Sequence, residues 1–142
     1  MRIPAAAAAL SAALAITGCG APSADLFVVE RTGAAPGARL TLVVDDGGFV
    51  RCNGGERLQI TSEQLIDARE IERALSGDEE QPGPATKDLT LPPRPGSVLR
   101  YDVRTEAGSV SFADNSAGQP ADVPRLVQLT RVLAKQVCGL PR

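Results

Sequence analysis

Histidine and tryptophan are absent from the sequence, and methionine and tyrosine occur once each beside three phenylalanines. The lack of histidine removes the commonest general base and the commonest zinc ligand together. Serine-histidine and cysteine-histidine nucleophilic schemes are excluded with it. So few aromatic rings supply little for stacking sugars or nucleobases. The formal charge is −2 at pH 7, which argues against a nucleic-acid partner and against a polybasic membrane patch. Long apolar runs are missing too: residues 5–16 form the longest small-residue stretch, short of the roughly 20 residues that span a bilayer.

That stretch is nevertheless informative. Arg2 gives it a charged start, and Ile16, Thr17, Gly18 and Cys19 end it. A small residue directly before a thiol is what lipid transfer to cysteine requires. The segment resembles the signal sequence and lipobox of bacterial lipoproteins. The resemblance implies removal of residues 1–18, attachment of acyl chains such as palmitate to Cys19, and a short tether over 19–25. It places the protein on the extracytoplasmic side of the cell membrane, since two or three acyl chains hold durably where one does not. Competing readings are an ordinary signal peptide cut without lipidation, and a buried alanine-rich helix. Thirteen arginines against two lysines, with 14 glycines and 11 prolines, indicate a GC-rich genome such as an actinobacterium's and say nothing of activity.

Three cysteines in an exported protein leave one over. Assigning Cys19 to lipid leaves Cys52 and Cys138 as a disulfide in an oxidising compartment, or as two separate buried thiols. A bridge closing so long a loop would stabilise the fold by roughly 4 to 5 kcal/mol on chain-entropy grounds.

Residues 26–142 are long enough for one small domain and too short for two. β-Forming residues and alternation predict strands over 26–31, 39–45, 49–52, 98–105 and 109–114, with turns at 32–38, 46–48, 53–55 and 106–108. A helix is predicted over 61–75, started by a Thr61–Gln64 capping box and stopped at Gly77. Its stripe is Leu65, Ala68, Ile71 and Leu75. A second helix is predicted over 124–138, with Pro124 in its first turn and a stripe of Leu126, Leu129, Leu133 and Val137 widened by Val132. Residues 78–97 carry five prolines and the acidic run Asp78, Glu79, Glu80. They predict an exposed, irregular connection, mobile rather than functional, its second half tacked on through Leu89 and Leu91 as a short edge strand. The fold class expected is α+β, an antiparallel sheet of about five strands with two helices on one face.

Candidate chemistry is thin. The acidic run lacks the ligand spacing of a calcium loop. Asp45 and Asp46 sit at a strand end, where they serve the turn sooner than acid-base work. Asn53, Gly54 and Gly55 lack the lysine of a phosphate loop. No cofactor or metal set is expected, and the protein is read as a non-enzyme. Arg31, Arg100, Asp102 and Arg104 remain as candidate binding residues, the last three on the open side of the second hairpin. The expected partners are the membrane, through lipid, and an unassigned protein.

The order of elements adds one likeness. Arg31, Thr32 and Gly33 before a proline-glycine turn, a hairpin, a helix with Leu65, Ala68 and Leu75, the hairpin from Leu99 to Phe112 and a terminal amphipathic helix resemble emfourin. Emfourins are small inhibitors of thermolysin-like metallopeptidases. The resemblance implies that the 31–38 segment or the open sheet face contacts a protease. The proline-rich loop, the anchor and the bridge depart from the family pattern, and no inhibitory residue carries over.

Overall fold

A computed structural model of the chain describes residues 23–141. The signal-like segment 1–18, Cys19 and the start of the tether lie outside the described residues.

Alternation of apolar and polar residues sets the strands. They are β1 (Asp25–Gly33), β2 (Leu40–Asp45), β3 (Phe49–Cys52), β4 (Leu58–Gln59), β5 (Leu99–Thr105) and β6 (Gly108–Ala113). They form one antiparallel sheet in the order β4-β3-β2-β1-β5-β6. β1 is therefore the seam. Its register pairs Val29 with Leu42 on one side and with Val103 on the other, which brings the inward side chains of five strands onto one face. The sixth strand, β4, was not expected: two residues are too few to carry a period.

The helix α1 (Ser62–Ser76) begins as the capping box predicts. The Thr61 hydroxyl accepts from the Gln64 amide at 3.1 Å, and the Gln64 side chain accepts from the Thr61 amide at 2.9 Å. Ala68, Ile71 and Leu75 are buried and Leu65 half-buried. The second helix, α2 (Val123–Val132), widens into a π-helical turn, Leu133–Val137, in which the Cys138 amide donates to the Leu133 carbonyl at 3.0 Å. Both helices cover the same side of the sheet. Phe27, Val29, Leu42, Val44, Val50, Val103, Val110 and Phe112 join Ile71, Leu75, Leu126 and Leu133 in one core.

The proline-rich connection corrects the expectation. It is irregular, but it is docked rather than loose. The Ala85 amide donates to the Leu75 carbonyl at 2.8 Å, Gly83 to Ser76 at 3.0 Å, and Ala85 itself is fully buried. Further on, the Leu91 amide donates to the Ser111 carbonyl and the Ser111 amide to the Leu89 carbonyl, at 2.8 and 2.9 Å. Leu89 and Leu91 thus tack the segment along β6, through a single parallel bridge at Thr90 rather than a strand. Among the described residues, no helix is long and apolar enough to cross a membrane.

Candidate functional site

The face of the sheet away from the helices presents side chains of β1, β2, β3, β5 and β6. Cross-strand neighbours align Ser109, Arg104, Val28, Val43 and Arg51 in one row, and Ser111, Asp102, Glu30 and Thr41 in the next. Arg104 Nη2 reaches Glu30 Oε1 at 3.0 Å, with both side chains about half exposed. The Ser111 hydroxyl donates to Asp102 Oδ1 at 2.5 Å. Val28, Val43 and Phe49 are half-buried on this face, and the Arg57 guanidinium lies 3.7 Å over the Phe49 ring. A cation held over a ring face is attracted by its quadrupole. The surface is a mixed one, with apolar valines flanked by arginines.

Arg31 does not belong to it. Arg31 pairs in register with Tyr101 and follows Phe27 and Val29 on the inward parity of β1, so its side chain is 3% exposed, on the covered side. The four candidate binding residues are thus split by the thickness of the sheet: Asp102, Arg104 and the half-buried Arg100 lie outside, Arg31 inside. From there Arg31 Nε donates to the Ala38 carbonyl at 2.7 Å and Nη2 to the Gly37 carbonyl at 3.2 Å. The guanidinium holds the β1–β2 turn from beneath.

The Cys52 and Cys138 sulfurs are bonded, joining the end of β3 to the end of the π turn across 86 residues. The Leu140 amide donates to the Ala134 carbonyl at 2.8 Å and closes the chain back over that end. A cleft lined by Cys52, Asn53, Leu58, Cys138 and Leu140 adjoins the bridge.

The adjacent acids Asp45 and Asp46 both serve the turn after β2. Asp45 Oδ1 accepts from the Gly47 amide at 2.9 Å and its Oδ2 from Arg57 Nε at 2.8 Å. Asp46 accepts from Arg69 Nε at 2.6 Å, tying that turn to α1. Between the helices, Arg125 bridges Asp67 and Glu70, and the hydrogen bond to Glu70, ahead of the contact with Asp67, raises the guanidinium's already high pKa. Burial pushes the Asp114 carboxyl up, but bonds from the Ser97 hydroxyl and from the Val98, Leu99 and Asn115 backbone outweigh it, so the group titrates below its ordinary value. Among the described residues, no three His, Cys, Asp or Glu side chains are grouped to hold a metal ion.

Two residues passed over in the sequence reading gain a role from the fold. Arg131, near the end of α2, and Lys135, four residues on in the π turn, line a cleft together with Arg31, Leu99 and Tyr101. Their spacing on one side of a helix was the available signal. A scan of protein-family models and searches of curated proteins and of solved structures give no significant match to this chain.

Proposed function

We propose that the protein is a lipid-anchored, non-enzymatic binding protein on the extracytoplasmic side of the cell membrane. The bridge between Cys52 and Cys138 carries the reading. Disulfides persist in oxidising compartments, and this one takes two of the three cysteines in the sequence. Cys19 is left, directly after an apolar run, where a lipid-modified cysteine belongs. The absence of an enzymatic role is supported by the lack of histidine and by the commitment of Asp45, Asp46, Asp67, Glu70 and Glu30 to arginine partners. Fractionation of cells expressing the full chain and its Cys19→Ala variant tests the anchor. The native chain should sediment with membranes and gain the mass of acyl chains, while the variant should be released. Equal partition of the two, or an unacylated native chain, refutes it.

A second reading, an emfourin-like inhibitor of a thermolysin-like metallopeptidase, draws on one observation. The end of β1 and the turn after it are exposed at Thr32, Gly33, Ala34, Pro36 and Gly37, yet the turn is pinned from within by Arg31. A loop fixed before binding loses less conformational entropy on association. Titration of such a peptidase with the protein decides it: loss of activity at stoichiometric protein supports inhibition, and full activity at micromolar excess rejects it.

A further inference from the structure

We propose that the Cys52–Cys138 bridge is a thiol–disulfide exchange site for a dithiol reductant, and that opening it rewinds the end of the last helix from a π to an α register. The inference depends on the bridge and the helix, and not on the lipid anchor.

The two halves of the bridge are held differently. Cys52 ends β3 on the inward face, in register with Leu42. Its neighbour Asn53 is fastened to β2: the Asn53 amide donates to the Thr41 carbonyl at 2.7 Å, and Asn53 Oδ1 accepts from the Thr41 amide at 2.9 Å. Cys138 instead closes a single π turn and is followed by Gly139, exposed and with φ of 67°.

The π turn is what brings Cys138 to Cys52. At about 100° per residue, an α-helix would place Cys138 about 140° round the axis from Leu133 and about 120° from Leu126. Both leucines are fully buried, so that register would turn the thiol out to the flank of the stripe. The i→i+5 bond from the Cys138 amide to the Leu133 carbonyl, at 3.0 Å, spreads one turn over an extra residue. Cys138 then comes back beneath Leu133, facing β3. The chain end shows the same insertion. The Leu140 amide reaches the Ala134 carbonyl, one residue further back than the matching bond of an α-helical C-cap.

The sequence carries the alternative. In the α register Val137 would lie about 40° from Leu133 and about 20° from Leu126, completing their stripe with an aliphatic side chain. In the bridged structure Val137 and Cys138 are both only partly buried against the core. The two residues compete for one place over the sheet, and the covalent bond decides for Cys138. A continuous α-helix is the common geometry and a π turn the rare one, so loss of the bond favours Val137.

The bond is within reach of a reagent. A cleft of about 260 Å³, lined by both cysteines with Asn53, Leu58 and Leu140, opens on it, and both cysteines are partly exposed. Exposed bridges are the labile and regulatory ones. One thiolate of the dithiol attacks a bridge sulfur, forming a mixed disulfide and releasing the other cysteine as a thiolate. The second thiolate of the dithiol then displaces the remaining cysteine. Two electrons and two protons pass to Cys52 and Cys138, and the dithiol leaves as a disulfide. On rewinding, the Cys138 amide takes the Ala134 carbonyl from Leu140, and Lys135 and Pro141 shift in the neighbouring cleft that they line with Arg31.

Dithiothreitol is the probe. The full chain in detergent is reduced at several urea concentrations below its unfolding midpoint, quenched by alkylation and read by mass. Exchange in the folded state should change rate by less than about threefold per molar urea, whereas reduction through global unfolding accelerates at least about fivefold. NMR couplings across hydrogen bonds then read the register. The Cys138 amide should couple to the Leu133 carbonyl in the bridged chain, and to that of Ala134 in the reduced chain and in Cys52→Ala. The Leu140 amide should lose its protection from exchange in both, with Leu42 and Val44 unaffected. A steeper dependence on urea, a coupling that stays on Leu133 after reduction, or a chain that unfolds as a whole without the bridge overturns the proposal.

Discussion

The carbonyl oxygen of Ala85 lies 2.1 Å from the point where a Cβ on Gly108 would stand. Gly108 opens β6 with φ of 150°, and the docked loop closes over it so tightly that only glycine fits. Gly108→Ala would force the loop away from the hairpin. The expected loss is about 1 to 3 kcal/mol, as for other overpacking changes, and it should be local. Amide exchange at Leu91 and Ser111, whose bonds fasten the loop to β6, should accelerate more than exchange at Leu42 or Val44. Native stability and native exchange rates in the variant would show that the loop is not held at this point.

The same loop shows where sequence reading runs out. Proline and glycine content marks residues 78–97 as irregular, because such residues cannot sustain a ladder. Leu89 and Leu91 show that the second half is tacked on, but not that the first half docks, which rests on backbone carbonyls of Leu75 and Ser76 and on one buried alanine. The strands, by contrast, are legible because a period of two survives any context, and the start of α1 because Thr61 and Gln64 satisfy each other locally. Arg31 lay between these cases. Its parity with Phe27 and Val29 already pointed inward, but its charge suggested the surface. The structure resolves the conflict by giving the guanidinium two carbonyls. The cleft at Arg131 and Lys135 was legible only in part: their spacing puts both on one side of a helix, but nothing in one helix reports which strand residue faces it.

Closing the Cys52–Cys138 bridge removes freedom from an unfolded chain in which the two ends of an 86-residue separation could otherwise wander. On chain-entropy grounds the bridge stabilises by about 4 to 5 kcal/mol. Urea unfolding with and without reductant, and of the Cys52→Ser/Cys138→Ser variant, should show that loss as a lower midpoint in both cases. The variant should also be insensitive to reductant. A midpoint indifferent to reductant in the native chain would remove the bridge from the account of its stability.

Acid should act on the joint between β5 and β6. The Ser97 hydroxyl donates to Asp114 Oδ1 at 2.8 Å and the Val98 amide approaches both carboxylate oxygens at 3.3 Å. These bonds hold the folded-state pKa of Asp114 below its ordinary value. A depressed carboxyl contributes stability that is fully present above the unfolded pKa, about 3.9, and is lost as pH falls through the lower folded value. Asp114→Asn should therefore lower Tm at pH 7 by about 1 to 3 °C, a small effect because the group is exposed to solvent. The gap between variant and native chain should narrow below pH 4 and close once Asp114 is protonated in both states. A gap independent of pH would assign the effect to packing rather than to the carboxylate.

Thr130 sits in the last turn of α2 at 1% exposure, and its hydroxyl has no hydrogen-bond partner among the described residues. A buried hydroxyl without a partner carries its desolvation cost, about 1 to 3 kcal/mol, with no compensation. Valine has nearly the same shape and no such group, and its β-branching alters helix propensity little relative to threonine. Thr130→Val should therefore raise stability by about 1 kcal/mol, against the usual direction for a core substitution. The measurement is the urea midpoint at constant slope. A loss of stability would mean that the hydroxyl is satisfied in solution, by a bound water or by back-bonding to the preceding turn of the helix, and that the orphan is not a reservoir of instability.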